Sequence, residues 1–294
     1  MLEQDGIDKF FSELFSFPSK YDLEDFVQFG DHKIVIAVPP DSSTQLKRNL
    51  LAAAKAYFMG LRSIDYVLKK YGPYWDLEIE LSRNQEVLRD MLRDVINQIR
   101  QTREWMDKIE DKPDKVGLFA AGAALIRLET SFKGAKALIK RGYNFEALGI
   151  CRLILEQIAW AYSVHELEDE MVFEINPTKS IAELKKLLPN VGRVYGLLSD
   201  EAHILPRLTP RYIRFKEPCP QVVLATTEEG ARSAFILLQL ADIFGIVVEY
   251  IYRELAPAFS HIVKDRNGKY RVNGSRPLSQ IISHYESELS SLES

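Results

Sequence analysis

The stretch GYNFEALGICRLILEQIAWAYSVHELEDE, residues 142–170, has the pattern of an apolar helix with two charges in its middle. Between Ala147 and Tyr162 the only charged residues are Arg152 and Glu156, which are four apart and therefore share one helical face. A guanidinium has five N–H donors, and one carboxylate cannot occupy them all. If this face is buried, further acceptors must come from neighbouring helices, because an unpaired buried charge is strongly destabilising.

The composition is that of a soluble globular protein. The chain has 294 residues, of which 46% are hydrophobic and 27% charged, and its net charge of −4 excludes a globally basic nucleic-acid binder but not a local basic patch. Cys151 and Cys219 form no metal-binding pattern, and the acidic N-terminus does not resemble a signal peptide, so we expect a cytoplasmic protein. The apolar run 234–252 is interrupted by polar residues and predicts a buried core helix rather than a membrane span.

Helical periodicity dominates the whole chain and predicts an all-α fold, a helical bundle with a long helical hairpin and minor β-hairpin additions. We expect a short strand at 33–38 and a β-hairpin around Asn267-Gly268. Long helices are predicted at about 44–72, 76–110, 116–140, 143–168, 178–204 with an interruption, and 227–256. The expected domains are an N-terminal arm (1–41), the long helical hairpin (42–112), a helical core (113–258), and a β-hairpin with a C-terminal helix (259–294).

The predicted helix 227–256 carries a second polar stripe. Its members follow spacings of three, seven and four residues: Gln239, Asp242, Glu249 and Arg253. Two apolar helices with one polar stripe each predict a buried polar seam, in which Asp242 or Glu249 is the expected further partner of Arg152. Such a seam is either a structural network that fixes helix register or a polar cleft.

A basic segment follows the next helix. In GRVYGLLSDEAHILP, Tyr195, Ser199 and His203 are spaced by four residues and share one face if the helix continues. The following PRLTPRYIRFK combines cations with aromatic residues: Arg207, Arg211, Tyr212, Arg214, Phe215 and Lys216. Cations with interleaved aromatics suit phosphate contact and base stacking. Alternatively, this loop covers the acidic seam of its own or a partner chain.

Recognised cofactor and metal motifs are missing from the sequence, which has no GxxxxGK[ST], GxGxxG, GxSxG, HExxH or paired CxxC. His165 beside the acidic stretch ELEDE has no recognised ligand spacing. We therefore expect neither a cofactor nor a metal site.

Two blocks resemble uncharacterised all-helical prokaryotic proteins related to the HEPN superfamily: RGYNFEALGICRLILEQIAWAY, with its R-x-x-x-E, and YGLLSDEAHILP. The resemblance covers roughly residues 120–255. It implies a helical bundle, often dimeric, and in many members a metal-independent ribonuclease of toxin–antitoxin or anti-phage systems with an R-x4–6-H motif. Here Arg193 and His203 are separated by nine residues, so Arg152 from another helix is an alternative source of the cation.

Two functions are expected, one that follows from the resemblance and one in which the polar seam is structural. In the first, the protein binds and cleaves RNA, with His203 as general acid/base, Arg152 or Arg193 stabilising the phosphorane, and Glu156 beside them. In the second, it is a non-enzymatic interaction or sensor module that binds a protein partner of a defence system and has a purely structural seam. In either case we expect a homodimer that does not bind membranes.

Overall fold

The computed structural model consists mainly of α-helices with small antiparallel hairpins, which confirms the all-α prediction. It describes residues 27–31, 34–39, 42–75, 82–109, 115–168, 170–202, 208–216, 219–226, 229–256 and 258–292. The chain forms two compact units, residues 1–80 and residues 81–294.

The described residues of the first unit form one β-hairpin and two helices. Strand β1 (Val27–Asp31) pairs with β2 (Ile34–Val38), so the predicted strand at 33–38 is confirmed and its partner β1 is an addition. Helix α1 spans Thr44–Phe58, and α2 (Ile64–Tyr71) runs into a 3₁₀ turn at Gly72–Tyr74. Side chains from β1, β2 and α1 form a small core of Phe29, Ile34, Val38 and Leu51.

The prediction of one continuous helix at about 44–72 is wrong, because the helix breaks between Phe58 and Ile64. Gly60 adopts a left-handed φ of 64°, which only glycine adopts without strain. The Leu61 N–H then donates to the Ala56 carbonyl at 2.8 Å, and the Gly60 N–H to the Tyr57 carbonyl at 3.1 Å. This pair of hydrogen bonds is a Schellman motif, which ends a helix. Ser63 is the N-cap of α2, and its hydroxyl accepts from the Tyr66 N–H at 3.1 Å.

The second unit is the helical bundle. Its elements are α3 (Arg83–Met106), α4 (Val116–Lys140), α5 (Asn144–Val164), a 3₁₀ turn (Glu170–Glu174), α6 (Pro177–Leu184), α7 (Val191–Ala202), the one-turn α8 (Thr209–Tyr212), β3 (Ile213–Lys216), β4 (Cys219–Val222), α9 (Gly230–Ile251), β5 (Ile262–Lys264), β6 (Tyr270–Val272) and α10 (Pro277–Leu292). The predicted interruption of 178–204 is confirmed by the separation of α6 from α7. The hairpin β5–β6, which turns at Asn267-Gly268, and the last helix are also confirmed.

Helix α9 lies at the centre of this unit and packs against α3, α4, α5 and α10. By length and composition, α5 and α9 could each cross a membrane, but 50% and 83% of their apolar windows are buried within the bundle. For α9, burial among protein neighbours accounts for the apolar sequence, which confirms the prediction of a core helix at 234–252.

The division into units differs from the expected domains in two places. The boundary at residue 80 falls inside the segment 42–112 that was predicted as one helical hairpin, and α3 belongs to the second unit. The segment 259–294, predicted as a separate addition, belongs to the same unit as the helical core. Polar contacts from α9 to that segment, described below, provide the physical reason.

Candidate functional site

The two charges of α5 form a cluster with a tyrosine of α7. Arg152 Nε donates to Glu156 Oε1 at 3.0 Å, and Arg152 Nη2 donates to the Tyr195 hydroxyl at 3.3 Å. The same hydroxyl donates to Glu156 Oε1 at 3.2 Å, and the guanidinium carbon lies 5.5 Å from the centre of the Tyr195 ring. The Arg152 side chain remains 22% exposed and that of Glu156 14%. We call these three residues the Arg152 cluster.

The expected partners of Arg152 on α9 are engaged elsewhere, so the predicted seam between α5 and α9 is wrong in that part. Asp242, which is buried, accepts from Arg276 Nε at 2.8 Å and from Arg276 Nη2 at 2.6 Å. Arg276 immediately precedes α10. This ion pair therefore attaches the start of α10 to the central helix.

Glu249 is the centre of a second buried network. Its carboxylate accepts three consecutive backbone N–H groups, those of Ser260 (2.9 Å), His261 (2.7 Å) and Ile262 (3.1 Å). It also accepts from the Ser260 hydroxyl at 2.8 Å and faces His261 Nδ1 at 2.9 Å. Burial alone would raise the pKa of Glu249, but the hydrogen bonds from His261 and Ser260 outweigh it and lower that pKa below its usual value.

The far side of the His261 ring meets α3. Gln98 Nε2 lies 2.8 Å from His261 Nε2 and also donates to the Thr102 hydroxyl at 3.1 Å. An amide donor at Nε2 requires that nitrogen to accept, so the ring carries its proton on Nδ1 and donates it to Glu249. Thr102, which interrupts the apolar pattern of α3, is therefore a member of a buried hydrogen-bond network.

The fourth residue of the stripe, Arg253, lies against the end of α5. It donates to Glu166 Oε1 at 2.6 Å and to the Tyr250 carbonyl at 2.8 Å, and its Nη1 lies 3.1 Å from His165 Nε2. The other ring nitrogen of His165 donates to the Tyr162 carbonyl at 2.6 Å. Burial is the main cause that lowers the pKa of His165, so this side chain is a neutral part of the core.

Arg211, predicted as a phosphate contact, is held by two carboxylates. Its guanidinium pairs with both oxygens of Glu229 and with those of Glu201, and it lies 5.2 Å from the centre of the Phe145 ring. The hydrogen bonds to Glu229, and then those to Glu201, raise the pKa of Arg211 above its usual value. Only 16% of the Arg211 side chain is exposed. We therefore assign it a structural role in place of the predicted RNA contact.

The structure describes the remaining predicted residues only in part. Arg193 lies on α7 with an exposed side chain, two residues before Tyr195 of the Arg152 cluster. His203 and Arg207 fall outside the described residues. For Tyr212, Arg214 and Lys216 the structure describes the backbone alone, at the end of α8 and in β3. The segment predicted as a basic loop thus contains half of a β-hairpin, whose alternation in IRFK is a strand signal.

The described residues contain no cluster that could hold a metal, and of the two free cysteines Cys151 is buried and Cys219 is exposed in β4. In this part of the chain, no three His, Cys, Asp or Glu side chains converge in a way that could hold an ion. Burial raises the pKa of the Cys151 thiol to about 12, so this thiol stays protonated and unreactive at neutral pH. The Arg152 cluster combines a cation, an acid and an aromatic ring, and its arginine side chain is more exposed (22%) than those of Arg211 and Arg253 (16% each).

Comparisons with protein-family models, curated proteins and solved structures found no match to this chain.

Proposed function

We propose that this protein is a HEPN-like cytoplasmic protein that binds RNA at the Arg152 cluster and cleaves it without a metal. The observation that supports this proposal is a half-buried guanidinium beside an aromatic ring, with Arg152 5.5 Å from the centre of the Tyr195 ring and still 22% exposed. A cation can bind a phosphate of RNA, and an aromatic ring beside it can stack on the neighbouring base. On the stripe of α9, Asp242, Glu249 and Arg253 form hydrogen bonds with other groups of the second unit.

The proposed chemistry divides three roles among the predicted residues. Glu156, which accepts hydrogen bonds from Arg152 and Tyr195, takes the proton from the attacking ribose 2′-hydroxyl. Arg152 stabilises the negative charge that develops on the phosphorane. His203 donates a proton to the departing 5′-oxygen, so that the 2′-oxygen–phosphorus bond forms as the phosphorus–5′-oxygen bond breaks.

The first prediction concerns RNA affinity. Wild-type protein is expected to bind a fluorescent single-stranded RNA with an affinity that falls steeply with salt, because cation–phosphate contacts release counterions. Arg152→Gln and Arg193→Gln should each weaken binding and lower the slope of log K against log salt by about 0.7. The matched control is Arg93→Gln on α3, whose side chain is 57% exposed. Absence of binding by the wild type at low salt would exclude RNA as the ligand.

The catalytic roles are separable from binding. In EDTA, His203→Ala is expected to keep RNA binding nearly intact and to lose cleavage by a factor of about 10²–10⁴, because a general acid acts on the transition state. Glu156→Gln should behave in the same way if its carboxylate is the base. Equal cleavage by the wild type and both variants would assign the activity to a contaminating nuclease and contradict the proposal.

A second function is favoured by an exposed apolar stripe on α1. Leu46, Leu50 and Tyr57 are exposed by 45%, 37% and 84%, and Phe58 beside them by 67%. Spacings of four and seven residues place the first three on one side of the helix. We propose on this basis that the protein is an interaction module that forms a homodimer through α1, as a sensor or partner protein of a defence system.

Light scattering tests this second function. The wild type is expected to have about twice the chain mass of 33.7 kDa at micromolar concentration. Tyr57→Glu should give the monomer mass at an unchanged melting temperature, because it places a charge in an apolar contact without disturbing the fold. Leu224→Glu, at a residue that is 79% exposed and outside the stripe, is the matched control and should leave the dimer intact. A monomeric wild type would contradict the dimer.

A further inference from the structure

A groove of about 250 Å³ lies in the second unit between the start of α7, the middle of α9 and the start of α10. Its walls are mainly aliphatic and include Leu188, Val191, Val194, Ile243, Ile246 and Ile282. Gln239, Asp242, Ile243 and Ile246 follow helical spacing along α9, so one face of the central helix forms the floor.

The packing of the helices explains why this space is open. Helix α7 packs against α5 and α6, whereas α10 packs against α9 and α3. The two helices that border the groove are therefore held by different neighbours. The face of α9 between them is covered along only part of its width.

Two polar groups in this apolar groove keep hydrogen-bonding capacity. Among the described residues, the Gln239 side-chain amide has no hydrogen-bond partner. Arg276 uses Nε and one N–H of Nη2 for Asp242, and one N–H of Nη1 for the Asn273 carbonyl at 3.4 Å. Of the five guanidinium N–H groups, two remain. Gln239 and Arg276 thus offer donors to an oxygen bound in the groove.

We propose that this groove binds a small aliphatic compound with a neutral carbonyl oxygen, of the amide type. The aliphatic walls bury the hydrocarbon part, and Gln239 and Arg276 donate to the oxygen. Asp242 already neutralises Arg276, so the residues that line the groove have no further cation to balance a carboxylate ligand, which the Asp242 carboxylate would repel. A neutral amide avoids that repulsion. The volume corresponds to about eight liquid water molecules and accommodates a ligand of about ten non-hydrogen atoms.

Ligand-detected NMR on the full chain tests the groove with 4-methylpentanamide as probe. Binding is expected with a Kd of about 1 mM, as is typical of a ligand of this size. The isosteric 4-methylpentanoate should bind about tenfold more weakly because of Asp242. N-acetyl-leucine N-methylamide carries the same chemistry on a peptide. If this compound binds more tightly than 4-methylpentanamide, the proposed binding site is supported and its ligand is a side chain of a peptide. If it binds more weakly, the proposed site is supported and its ligand is a free metabolite.

Two variants locate the bound probe. Val194→Trp fills the groove and is expected to abolish binding, whereas Leu153→Trp, at a residue of α5 that is 53% exposed and outside the groove, should bind as the wild type does. Gln239→Leu keeps a similar side-chain volume and should weaken amide binding by about fivefold at an unchanged melting temperature. The proposal is overturned if wild-type protein does not bind the amide at about 10 mM, or if Gln239→Leu and Val194→Trp both bind it normally.

Discussion

Arg211→Ala is expected to lower the free energy of unfolding by about 3–5 kcal/mol. The change removes the cation between Glu201, which is only 4% exposed, and Glu229, and leaves two facing carboxylates without their partner. Urea denaturation measures the effect as a lower transition midpoint at an unchanged slope. The matched control is Arg232→Ala, which also lies near Glu201 (3.7 Å) but is 52% exposed, and whose loss should cost less than about 0.5 kcal/mol.

A triple variant separates the loss of the cation from the loss of packing. Arg211→Met combined with Glu201→Gln and Glu229→Gln removes all three charges and keeps side chains of similar size. Most of the lost stability should return, because a buried ion pair replaced by neutral groups is often close to neutral in stability. If Arg211→Ala instead leaves stability unchanged and weakens RNA binding alone, the guanidinium contacts a ligand and its structural assignment is wrong.

Glu249→Ala is also expected to lower the free energy of unfolding by about 3–5 kcal/mol, because three buried backbone N–H groups and the His261 ring lose their acceptor. Glu254→Ala is the matched control five residues later, at a position that is 75% exposed. It should change the free energy of unfolding by less than about 0.5 kcal/mol. Equal costs for the two variants would contradict the network.

Acidification provides a second measure of Glu249. The pKa of this carboxyl is lower in the folded protein than its usual value of 4.5, so the unfolded chain binds the proton more readily. The stabilisation is therefore complete above about pH 4.5 and is lost as the pH falls through the lower folded pKa. Glu249→Gln removes this titration, and the stability of the variant should fall less steeply with acid over that range.

The helices were largely predictable because their apolar residues recur every three or four positions. Helix α4 spans Val116–Lys140, close to the prediction of 116–140, and a proline or glycine marks the ends of several others. The break in the predicted helix 44–72 carried a readable signal in Gly60 and Ser63. It was missed because the apolar spacing continues across the break, and periodicity does not report a left-handed glycine.

The partners of buried charges were much less predictable. The pair Arg152–Glu156 is local, four residues apart on one helix, and was correctly expected. Tyr195 lies 43 residues from Arg152, Arg276 lies 34 residues from Asp242, and His261 lies 12 residues from Glu249. No periodic pattern in the sequence connects the two members of any of these pairs. The pairing of acids with bases depends on how the helices and the chain after α9 are arranged in space. The spacing of residues in a single sequence does not report that arrangement.

The attachment of residues 260–276 to α9 also has a consequence for the order of events during synthesis. When α9 leaves the ribosome, Asp242 and Glu249 carry negative charge within an otherwise apolar helix, and their partners Arg276 and Ser260–Ile262 have yet to be translated or released. Burying both acids before then would leave them without donors. The nascent bundle therefore closes around its central helix only after residues 260–276 have been synthesised and released, and chaperones have that interval in which to bind it.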